Sequence, residues 1–577
     1  MIPMGFRISL ILISGILLGC ASSPYPHIDF KGWDRTETCC LASGKKMAVA
    51  SGGTHASQAA LEISQMGGTL ADAAVAAAFT LAVERPQSLG LGGGGFFLYS
   101  QPGKKRNDVF VDFREVAPGV ATAKMFRDSQ DQVIPLQSRL GAKAVATPGF
   151  VPGMLLIHKK WGKLPWAKLL QPAIRLARQG FRVYPSLARR IDEEKKALLE
   201  DSYTKSLISI NGELLKKGDW IRQLDLAQTL ERIAENPQRE MRSGITAQKI
   251  AAFMKTRGGL ISQKDLLRYQ AVIRKPLEFQ WNGKTLLLAP PPSAGGVVVI
   301  EMLNMLARDA LDRMEPSEYV HLLSESMRRA YADRSQAIGD PDFHKFSIEP
   351  LLSYSRAEKL RASITSGQAT PSKAIRPISS EDLKENHTTQ LSLMDEAGNA
   401  IAMTLSLNEF FGCRLAVPET GIFLNNQMDD FSSKPGEPNV FGLLGAEANS
   451  IAPFKRPVSS MTPTIILDRG RPVLAIGAAG GSKISTHVTQ VFLNLFLRTP
   501  DDLRKAVFSP RFHHQWLPDQ ITLENGFSEK MIRTLKTMGH SLEISDRTAL
   551  VQTVWRNPEG SFVAVFDPRD EGGAEAQ

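Results

Sequence analysis

The sequence predicts a large α/β protein. Apolar residues recur at helical spacing between residues 57 and 85 and again within 147–275, whereas strand-like alternation runs from residue 390 to 407. The 577 residues are 43% hydrophobic and 22% charged, which is an ordinary globular composition. A chain of this length can bury a large core and ordinarily forms more than one domain. We therefore expect helices and strands packed around a substantial core.

The first predicted elements are two consecutive helices. Residues 57–66 show helical spacing and are followed by Gly67, and glycine favours a helix end. Residues 70–85 are Ala-rich and apolar on nearly every face, so they predict a buried helix that Pro86 ends. The glycine run at 92–95 precedes an apolar strand and no Lys-Ser/Thr pair, which excludes a phosphate loop. Further helices are predicted at 165–179, at 224–235 and after the proline break at 290–292.

A β-hairpin is predicted over residues 390–407, where apolar residues alternate on both sides of a Gly-Asn turn. Folding the chain about that turn places Thr388 opposite residues 407–409, within one residue of register. Ser406 and Asn408 share one face of the second strand. The ends of the hairpin should therefore bring Thr388, Ser406 and Asn408 together.

The N-terminus has the pattern of an export signal. Arg7 precedes an apolar run at 8–18 that is too short to span a bilayer as a mature helix, and small residues follow it. The tetrad that ends at Cys20 resembles a bacterial lipobox, in which the cysteine is acylated and becomes the mature N-terminus. These features predict a lipoprotein signal peptide over 1–19, a tether over 20–45, and an exported, periplasmic or cell-envelope lipoprotein. A plain signal peptide is the alternative, and it predicts export as well.

The charge and the metal-binding residue types exclude several other functions. The net charge is +10, but the Lys and Arg residues are scattered, so we expect no nucleic-acid partner. Membrane association is expected only through the lipid anchor. Cys39, Cys40 and Cys413 lack metal-binding spacing, and adjacent His513 and His514 point apart on a strand without a third ligand. The sequence thus predicts neither a metal nor another cofactor.

The region around Thr388 resembles a known autoprocessing site. Residues His387 to Gln390, followed by the Gly-Asn turn and by Ser406-Leu407-Asn408, are similar to the cleavage site of the γ-glutamyltransferase (γ-glutamyl transpeptidase) family. The resemblance extends over roughly residues 46–570, and its motifs stand in the family's order. These motifs lie at 86–96, 112–118, 424–431, 456–464, 480–482 and 510–515.

This resemblance implies the four-layer αββα sandwich of N-terminal-nucleophile hydrolases, with two stacked antiparallel sheets between helical layers. Cleavage between His387 and Thr388 would divide a precursor into a large subunit, 46–387, and a small subunit, 388–577, which share one fold. The freed α-amine has a pKa of about 7.7–8.0 and would act as the base for the Thr388 hydroxyl. A Ser-His-Asp relay is not required.

The resemblance also implies the chemistry and the roles of the other site residues. Thr388, with Ser406 and Asn408 beside it, would form a γ-glutamyl ester, and the N–H groups of Gly480 and Gly481 would stabilise the oxyanion. Water would then release glutamate, or an amino-acid or dipeptide acceptor would take the γ-glutamyl group from a donor such as glutathione. The implied donor-binding residues are Arg114, Ser459 and Ser460 for the α-carboxylate, and Asp430, Asn408 and Gln427 for the α-ammonium.

The sequence departs from the family pattern at several positions. Ser406 stands where threonine is usual and retains the hydroxyl, whereas Gln390 replaces an aromatic residue or histidine. Phe441 occupies the place of a lid tyrosine, so its ring can still cover the pocket. Arg414 stands where small residues are usual. We expect its cation to reach the pocket rim and to alter the donor or acceptor preference.

Two alternative functions remain. A β-lactam side-chain acylase would use the same fold, but Arg114 and Asp430, which suit both charged groups of an amino-acid donor, argue against it. An unprocessed lipoprotein could bind γ-glutamyl peptides without turning them over. The intact Thr388 and Asn408, together with the Gly480-Gly481 pair, argue against that function.

Overall fold

The computed structural model describes residues 40–103, 106–375, 388–546 and 549–577. Two seven-stranded antiparallel sheets form its centre. The hairpin sheet, which contains the predicted hairpin, has the strand order Gly573–Ala576, Met47–Ser51, Thr389–Asp395, Ala400–Ser406, Gly94–Gln101, Asn107–Asp112 and Val272–Arg274. The second sheet has the order Leu41–Gly44, Phe562–Phe566, Leu550–Arg556, Arg471–Ala479, Thr464–Asp468, Lys284–Leu288 and Leu277–Trp281.

Side chains that alternate along the strands separate the layers. Val49 and Leu391 of the hairpin sheet pack against one helical layer, whereas Ala48 and Ala50 face the second sheet. The layer order of helix, sheet, sheet and helix confirms the four-layer αββα sandwich. The layer on the hairpin sheet contains helices Thr54–Gln65, Leu70–Glu84, Phe150–Trp161 and Trp166–Gln179, and the layer on the second sheet contains Gly295–Met305, Pro316–Ala337 and Ile484–Leu493.

The remaining elements are short or lie around the sandwich. The other helices are Pro185–Leu198, Ser202–Leu207, Leu224–Glu235, Pro237–Glu240, Ile245–Thr256, Gln263–Arg268, Glu349–Leu352, Tyr354–Ala362, Leu503–Phe508 and Glu529–Thr537. The other strands are Phe181–Arg182, Ser209–Ile210, Glu213–Leu214, Trp220–Ile221, Ala416–Val417, Ile422–Phe423, Phe512–His513, Ile521–Glu524 and Leu542–Ser545.

The two predicted N-terminal helices are confirmed, and local chemistry explains their ends. Thr54–Gln65 ends before Gly67, which adopts a φ of 80° that favours glycine. Leu70–Glu84 begins with a capping box in which the Thr69 hydroxyl and the Asp72 carboxylate each accept from the other's backbone N–H. Every residue of this second helix is buried. Its apolar composition on all faces therefore reflects burial between neighbouring helices and the sheet.

The hairpin is confirmed, and its register lies within the predicted margin of one residue. Thr389 pairs with Leu405, so continuing the register places Thr388 opposite Ser406, one residue from the predicted 407–409. The difference arises at the turn, where Gly398 adopts a φ of 87° and its N–H donates to the Asp395 carbonyl. The hairpin still brings Thr388 to the end of the strand that carries Ser406.

The predicted tether is too long at its C-terminal end. Leu41–Gly44 is an edge strand that pairs with Phe562–Phe566, because alternate residues of this segment are half-buried against the second sheet. Residues 1–39, and with them the predicted signal peptide and Cys20, lie outside the described residues. Within the described part of the chain, no helix is long and apolar enough to cross a membrane.

Candidate active site

Thr388 lies at the start of a central strand of the hairpin sheet. Thr388 is 7% exposed and lines a narrow cleft together with Ser88, Phe410 and Ala479. Ala479 ends a strand of the second sheet and directly precedes Gly480. The two sheets therefore bring the predicted nucleophile close to the predicted oxyanion turn. His387, the other residue of the predicted cleavage site, lies outside the described residues.

The chain turns sharply after Ser406, and this turn positions Asn408. The Asn408 N–H donates to Ser406 Oγ at 2.8 Å, and Asn408 adopts a φ of 81°, which asparagine tolerates better than most residues. Its side-chain amide donates to the Asn426 carbonyl at 3.1 Å. Because Ser406 Oγ accepts the Asn408 bond, its own proton remains available to a neighbouring acceptor.

The Gly480-Gly481 turn has a backbone that side chains rarely permit. Gly480 and Gly481 adopt φ values of 141° and 56°, between the strand Arg471–Ala479 and the helix Ile484–Leu493. Both residues are buried. A turn of this kind can aim consecutive N–H groups at one oxygen, as an oxyanion hole requires.

Arg114 and Asp430 are paired in the structure. The Arg114 residue is 1% exposed, and its guanidinium donates to the Pro457 carbonyl at 3.2 Å, to the Val458 carbonyl at 2.9 Å and to the Asp430 carboxylate. Burial raises the pKa of the Asp430 carboxyl, while the charge of Arg114 opposes that shift. The residues predicted to bind the two charged ends of an amino-acid donor are thus neighbours.

The predicted serines and Gln427 lie in segments next to this pair. Ser459 follows the carbonyls that hold Arg114, and its hydroxyl accepts the Met461 N–H at 3.1 Å. The Ser460 hydroxyl accepts from Arg334 at 3.3 Å. Gln427 is 1% exposed and lies in the same short 3₁₀ turn as Asp430. The segments that carry Arg114, Gln427, Asp430, Ser459 and Ser460 therefore meet in one region.

Glu115 is a site residue that the sequence interpretation missed. A Cβ atom at Gly94 would lie 2.8 Å from the Glu115 carboxylate, and Gly94 pairs with Ser406 in the hairpin sheet. Glu115 therefore connects the Arg114 end of the site to the Thr388 end. Burial raises its pKa to about 8, against the opposing charge of Arg114 and a hydrogen bond from Gln427. Its place beside Arg114 in the sequence was the available signal, but that pair also fits a surface ion pair.

Replacing Glu115 by Gln should change how stability depends on pH. The folded protein holds the Glu115 proton more tightly than the unfolded chain, whose ordinary pKa is 4.5. The wild-type carboxyl therefore contributes stability that is complete below pH 4.5 and is lost as the pH rises toward 8. Glutamine mimics the protonated carboxyl, so the variant's Tm should match the wild type at pH about 4 and exceed it by several degrees at pH about 8. Calorimetry of both proteins across this pH range tests the prediction. A Tm difference that does not vary with pH would contradict a raised pKa of Glu115.

Arg414 does not lie at the pocket rim, so that prediction is corrected. The residue is 4% exposed, and its guanidinium contacts Glu194 at 3.0 Å and Glu409 at 3.2 Å. Arg139 also pairs with Glu409, at 2.6 Å. Burial alone would raise the pKa of Glu409, but the charges and hydrogen bonds of these two arginines hold it below its ordinary value. Arg414 thus belongs to a buried ion-pair network behind Asn408.

Replacing Arg414 by Met should therefore destabilise the fold. The change leaves the Glu409 carboxylate, 1% exposed, with one arginine fewer, and breaking a buried pair costs about 3 kcal/mol. We expect a Tm that is several degrees lower by calorimetry. Lys249→Met, which removes an exposed ion pair with Glu419, is the matched control and should leave the Tm unchanged. Equal Tm changes in the two variants would contradict this role.

His513 and His514 are both held by hydrogen bonds inside the protein. His513 Nε2 donates to the Gln515 side chain at 3.0 Å, and His514 Nδ1 accepts the Trp516 N–H at 3.0 Å. Burial lowers the pKa of His513 to about 3 and that of His514 to about 4.

A second group of buried side chains contains His321, Glu325 and His540. Their nitrogen and oxygen atoms that could bind a metal lie within 4.8 Å of one another. The Glu325 oxygens there already accept from Arg329 at 2.6 Å and from the Thr370 N–H at 3.1 Å.

The sandwich and the site together define a class of protein. Thr388 directly precedes a central strand, the Ser406 hydroxyl and a glycine turn lie near it, and the helical layers enclose both sheets. This arrangement is that of the N-terminal-nucleophile hydrolases, whose nucleophile stands at the start of a strand in the αββα sandwich.

Known proteins identify the family within this class. The family model described as Gamma-glutamyltranspeptidase matches residues 56–577. The glutathione hydrolase proenzyme of Escherichia coli (strain K12) is 40% identical over 528 residues, covering 91% of this chain and 90% of that protein. A cephalosporin acylase structure from Bacillus halodurans has a TM-score of 0.83 at 25% identity over 95% of this chain and 99% of that one. The Helicobacter pylori γ-glutamyltranspeptidase structure has a TM-score of 0.54 at 35% identity over 56% of this chain and 93% of that one. The chain belongs to the γ-glutamyltranspeptidase family of enzymes.

Proposed function

We propose that this enzyme cleaves itself before Thr388 and then hydrolyses or transfers γ-glutamyl groups, with glutathione as a donor and amino acids or dipeptides as acceptors. The arrangement around Arg114 carries the proposal. A buried guanidinium and the Asp430 carboxylate lie at one end of the site, and Glu115 connects them to Ser406, which stands opposite Thr388. An α-amino acid whose side-chain carbonyl must reach a hydroxyl matches this distribution of charge.

Self-cleavage would generate the catalytic base. Thr388 Oγ attacks the His387 carbonyl carbon, the peptide C–N bond breaks, and water hydrolyses the resulting ester. The products are the His387 carboxylate and a free Thr388 α-amine. That amine has a pKa of about 7.7–8.0, so near neutral pH it can accept the proton of the adjacent hydroxyl. The large subunit, 46–387, and the small subunit, 388–577, remain in one sandwich because strands from both make up each sheet.

Catalysis would use the same hydroxyl on the donor. The Thr388 oxygen attacks the γ-carbonyl, and the N–H groups of Gly480 and Gly481 stabilise the oxyanion. The C–N bond breaks, the leaving amine takes the proton held by the α-amine, and a γ-glutamyl ester remains. Water attacks this ester to give glutamate, or an acceptor amine attacks it to give a new γ-glutamyl peptide.

Two groups of residues would hold the donor, one for each charged end. Arg114, Ser459 and Ser460 bind the α-carboxylate, because a planar guanidinium and hydroxyl donors suit a carboxylate. Asp430, Asn408 and Gln427 accept from the α-ammonium. The Arg114–Asp430 pair would separate to admit the donor. The donor's α-carboxylate would then pair with Arg114, and its α-ammonium would pair with Asp430.

The N-terminal features support a proposed location. We assign residues 1–19 to a lipoprotein signal peptide and Cys20 to lipid attachment, which would hold the enzyme at the cell envelope. Fractionation of cells expressing the full chain tests this assignment. Membrane-bound wild type and a Cys20→Ser variant released from the membrane would support it, whereas identical fractionation of the two would contradict it.

Assaying two anilide substrates tests the function against its rival. A γ-glutamyl anilide carries both α-charges, and a glutaryl anilide lacks the α-ammonium. We expect the γ-glutamyl anilide to be hydrolysed at least about 10²-fold faster, since Asp430 interacts with the ammonium only. Preference for the glutaryl compound would favour the acylase function that the Bacillus halodurans structure's name suggests.

A further inference from the structure

The motif at 510–515 has no role in the chemistry described above, yet it ends in a side chain beside the oxyanion turn. The Ser482 hydroxyl, one residue after Gly481, donates to the Gln515 side-chain oxygen at 2.6 Å. His513 Nε2 donates to the same oxygen at 3.0 Å. On its other side the Gln515 amide donates to the Phe441 carbonyl at 2.8 Å and to the Leu517 carbonyl at 3.1 Å. All parts of this side-chain amide are therefore in use.

Phe441 lies at the tip of a short loop, which we call the strap, residues 436–445. Its ends are held together by a hydrogen bond from the Gly436 N–H to the Gly445 carbonyl at 3.0 Å, and its tip by one from the Gly442 N–H to the Asn439 carbonyl at 2.9 Å. The Phe441 ring is half-buried and packs against the hydrophobic core around the second sheet. The strap is thus an ordered loop whose tip contacts Gln515.

The strap is also tied to the donor-binding end of the site. The Asn439 amide donates to Asp430 Oδ1 at 3.2 Å, and the Val440 N–H donates to the Asp429 carboxylate at 2.9 Å. Asp429 is held in turn by the Ser138 hydroxyl at 2.6 Å. Adjacent strap residues therefore contact the carboxylate predicted to bind the donor ammonium and, through Gln515, the turn predicted to bind the oxyanion.

A γ-glutamyl group would extend between these same two ends. Its α-ammonium would lie at Asp430, and its γ-carbonyl would lie at the Gly480-Gly481 turn. The strap connects these two positions, and Gln515 is the hydrogen-bonded link between the strap and the turn. Any change in strap position on donor binding would therefore reach the turn through this amide.

We infer that Gln515 is a positioning residue that clamps the strap to the oxyanion turn, so that the strap, closed over a bound γ-glutamyl group, aligns the turn with the γ-carbonyl. This inference rests on the proposed function. The side-chain partners of Gln515 include Ser482 beside the turn and Phe441 in the strap, so it would act on the donor through these two residues. Losing the clamp should weaken binding of the transition state more than binding of the donor.

Gln515→Ala and Gln515→Glu test the clamp. Alanine removes every bond of the amide. Glutamate still accepts from Ser482 and His513 but presents an oxygen to the Phe441 and Leu517 carbonyls, so it should release the strap while keeping the bond to the turn. Gln223→Ala is the control, because Gln223 donates to the Val83 carbonyl in the helical layer and does not contact the strap. Activity on a γ-glutamyl anilide is expressed per cleaved chain, as measured by denaturing electrophoresis.

Two readouts separate positioning from a structural role. We expect kcat to fall about 10-fold in both Gln515 variants while KM changes less than about threefold. Chymotrypsin cleaves after aromatic residues, and we expect it to cut the Phe441-Gly442 bond about 10-fold faster once the clamp bond is lost. Wild-type values for either readout in the Gln515 variants would overturn the inference, as would equal changes in Gln223→Ala. Chymotryptic cleavage does not require turnover, so it tests the clamp even if the wild type hydrolyses no γ-glutamyl anilide, a result that would contradict the proposed function itself.

Discussion

Thr388→Ala should yield a single uncleaved chain without γ-glutamyl activity. In the proposed mechanism the hydroxyl is both the agent of self-cleavage and the acceptor of the γ-glutamyl group, and without cleavage the α-amine base never forms. Alanine is smaller than threonine and Thr388 has a small exposed fraction, 7%, so the strand should still form. We expect the rate of anilide hydrolysis to fall by more than about 10⁴-fold, as when a covalent nucleophile is removed. Denaturing electrophoresis and the anilide assay measure the two effects.

Two further variants make this result specific. Thr388→Ser keeps a hydroxyl and should retain cleavage and turnover at reduced rates. Thr389→Ala removes the neighbouring threonine, whose side chain points to the Gly52 side of the strand, and should retain both within about threefold. Complete cleavage of Thr388→Ala, or loss of cleavage in Thr389→Ala alone, would show that Thr388 is not the nucleophile.

Arg114→Lys should cause the second-largest loss, in donor binding. The buried guanidinium is held by two carbonyls with its fork toward Asp430, whereas lysine has one compact ammonium and cannot bind a carboxylate bidentately. We expect KM for the γ-glutamyl anilide to rise about 10²-fold, since hydrogen bonds to charged groups contribute about 1.5–3 kcal/mol. A 4-aminobutyryl anilide, which lacks the α-carboxylate, should be an equally poor substrate for the variant and the wild type.

Arg361→Lys is the matched control for this substitution. Arg361 forms a bidentate pair with Asp309 at 2.7 and 2.9 Å, away from the site, so the same chemical change is made without touching the donor. Its KM should stay at the wild-type value. An equal rise in KM in both variants, or a lower rate with the 4-aminobutyryl compound in Arg114→Lys alone, would show that the effect is structural.

Local signals predicted much of the fold correctly. The helices around residues 57–85 follow from spacing, glycine and proline, because each is determined within a few residues. The hairpin register could be predicted only to within one residue because the conformation of one residue, Gly398, sets it. The edge strand Leu41–Gly44 was missed because its partner, Phe562–Phe566, is distant in sequence and the segment itself is short. The order of the helical and sheet layers could be predicted only with the family resemblance, because the hydrophobic pattern alone indicated no more than an α/β protein.

The site was predicted in outline for similar reasons. Motif matches gave Thr388 and Arg114, whose segments the fold brings into one region. Sequence could not show that Arg414 turns inward to Glu409 and Glu194, because that depends on the positive φ of 63° that redirects its side chain. Gln515 was visible only as part of a motif, since its partners Ser482 and Phe441 come from separate loops.

Mass spectrometry of the small fragment, quenched in acid during turnover of a γ-glutamyl anilide, tests the central claim most directly. The claim is that self-cleavage exposes Thr388 and that its hydroxyl then carries the γ-glutamyl group. We predict a fragment that begins at Thr388 and gains the mass of one γ-glutamyl group, located on that residue and removed by hydroxylamine. A chain that stays uncleaved during turnover, or a γ-glutamyl group on Ser406 or any residue other than Thr388, would contradict it.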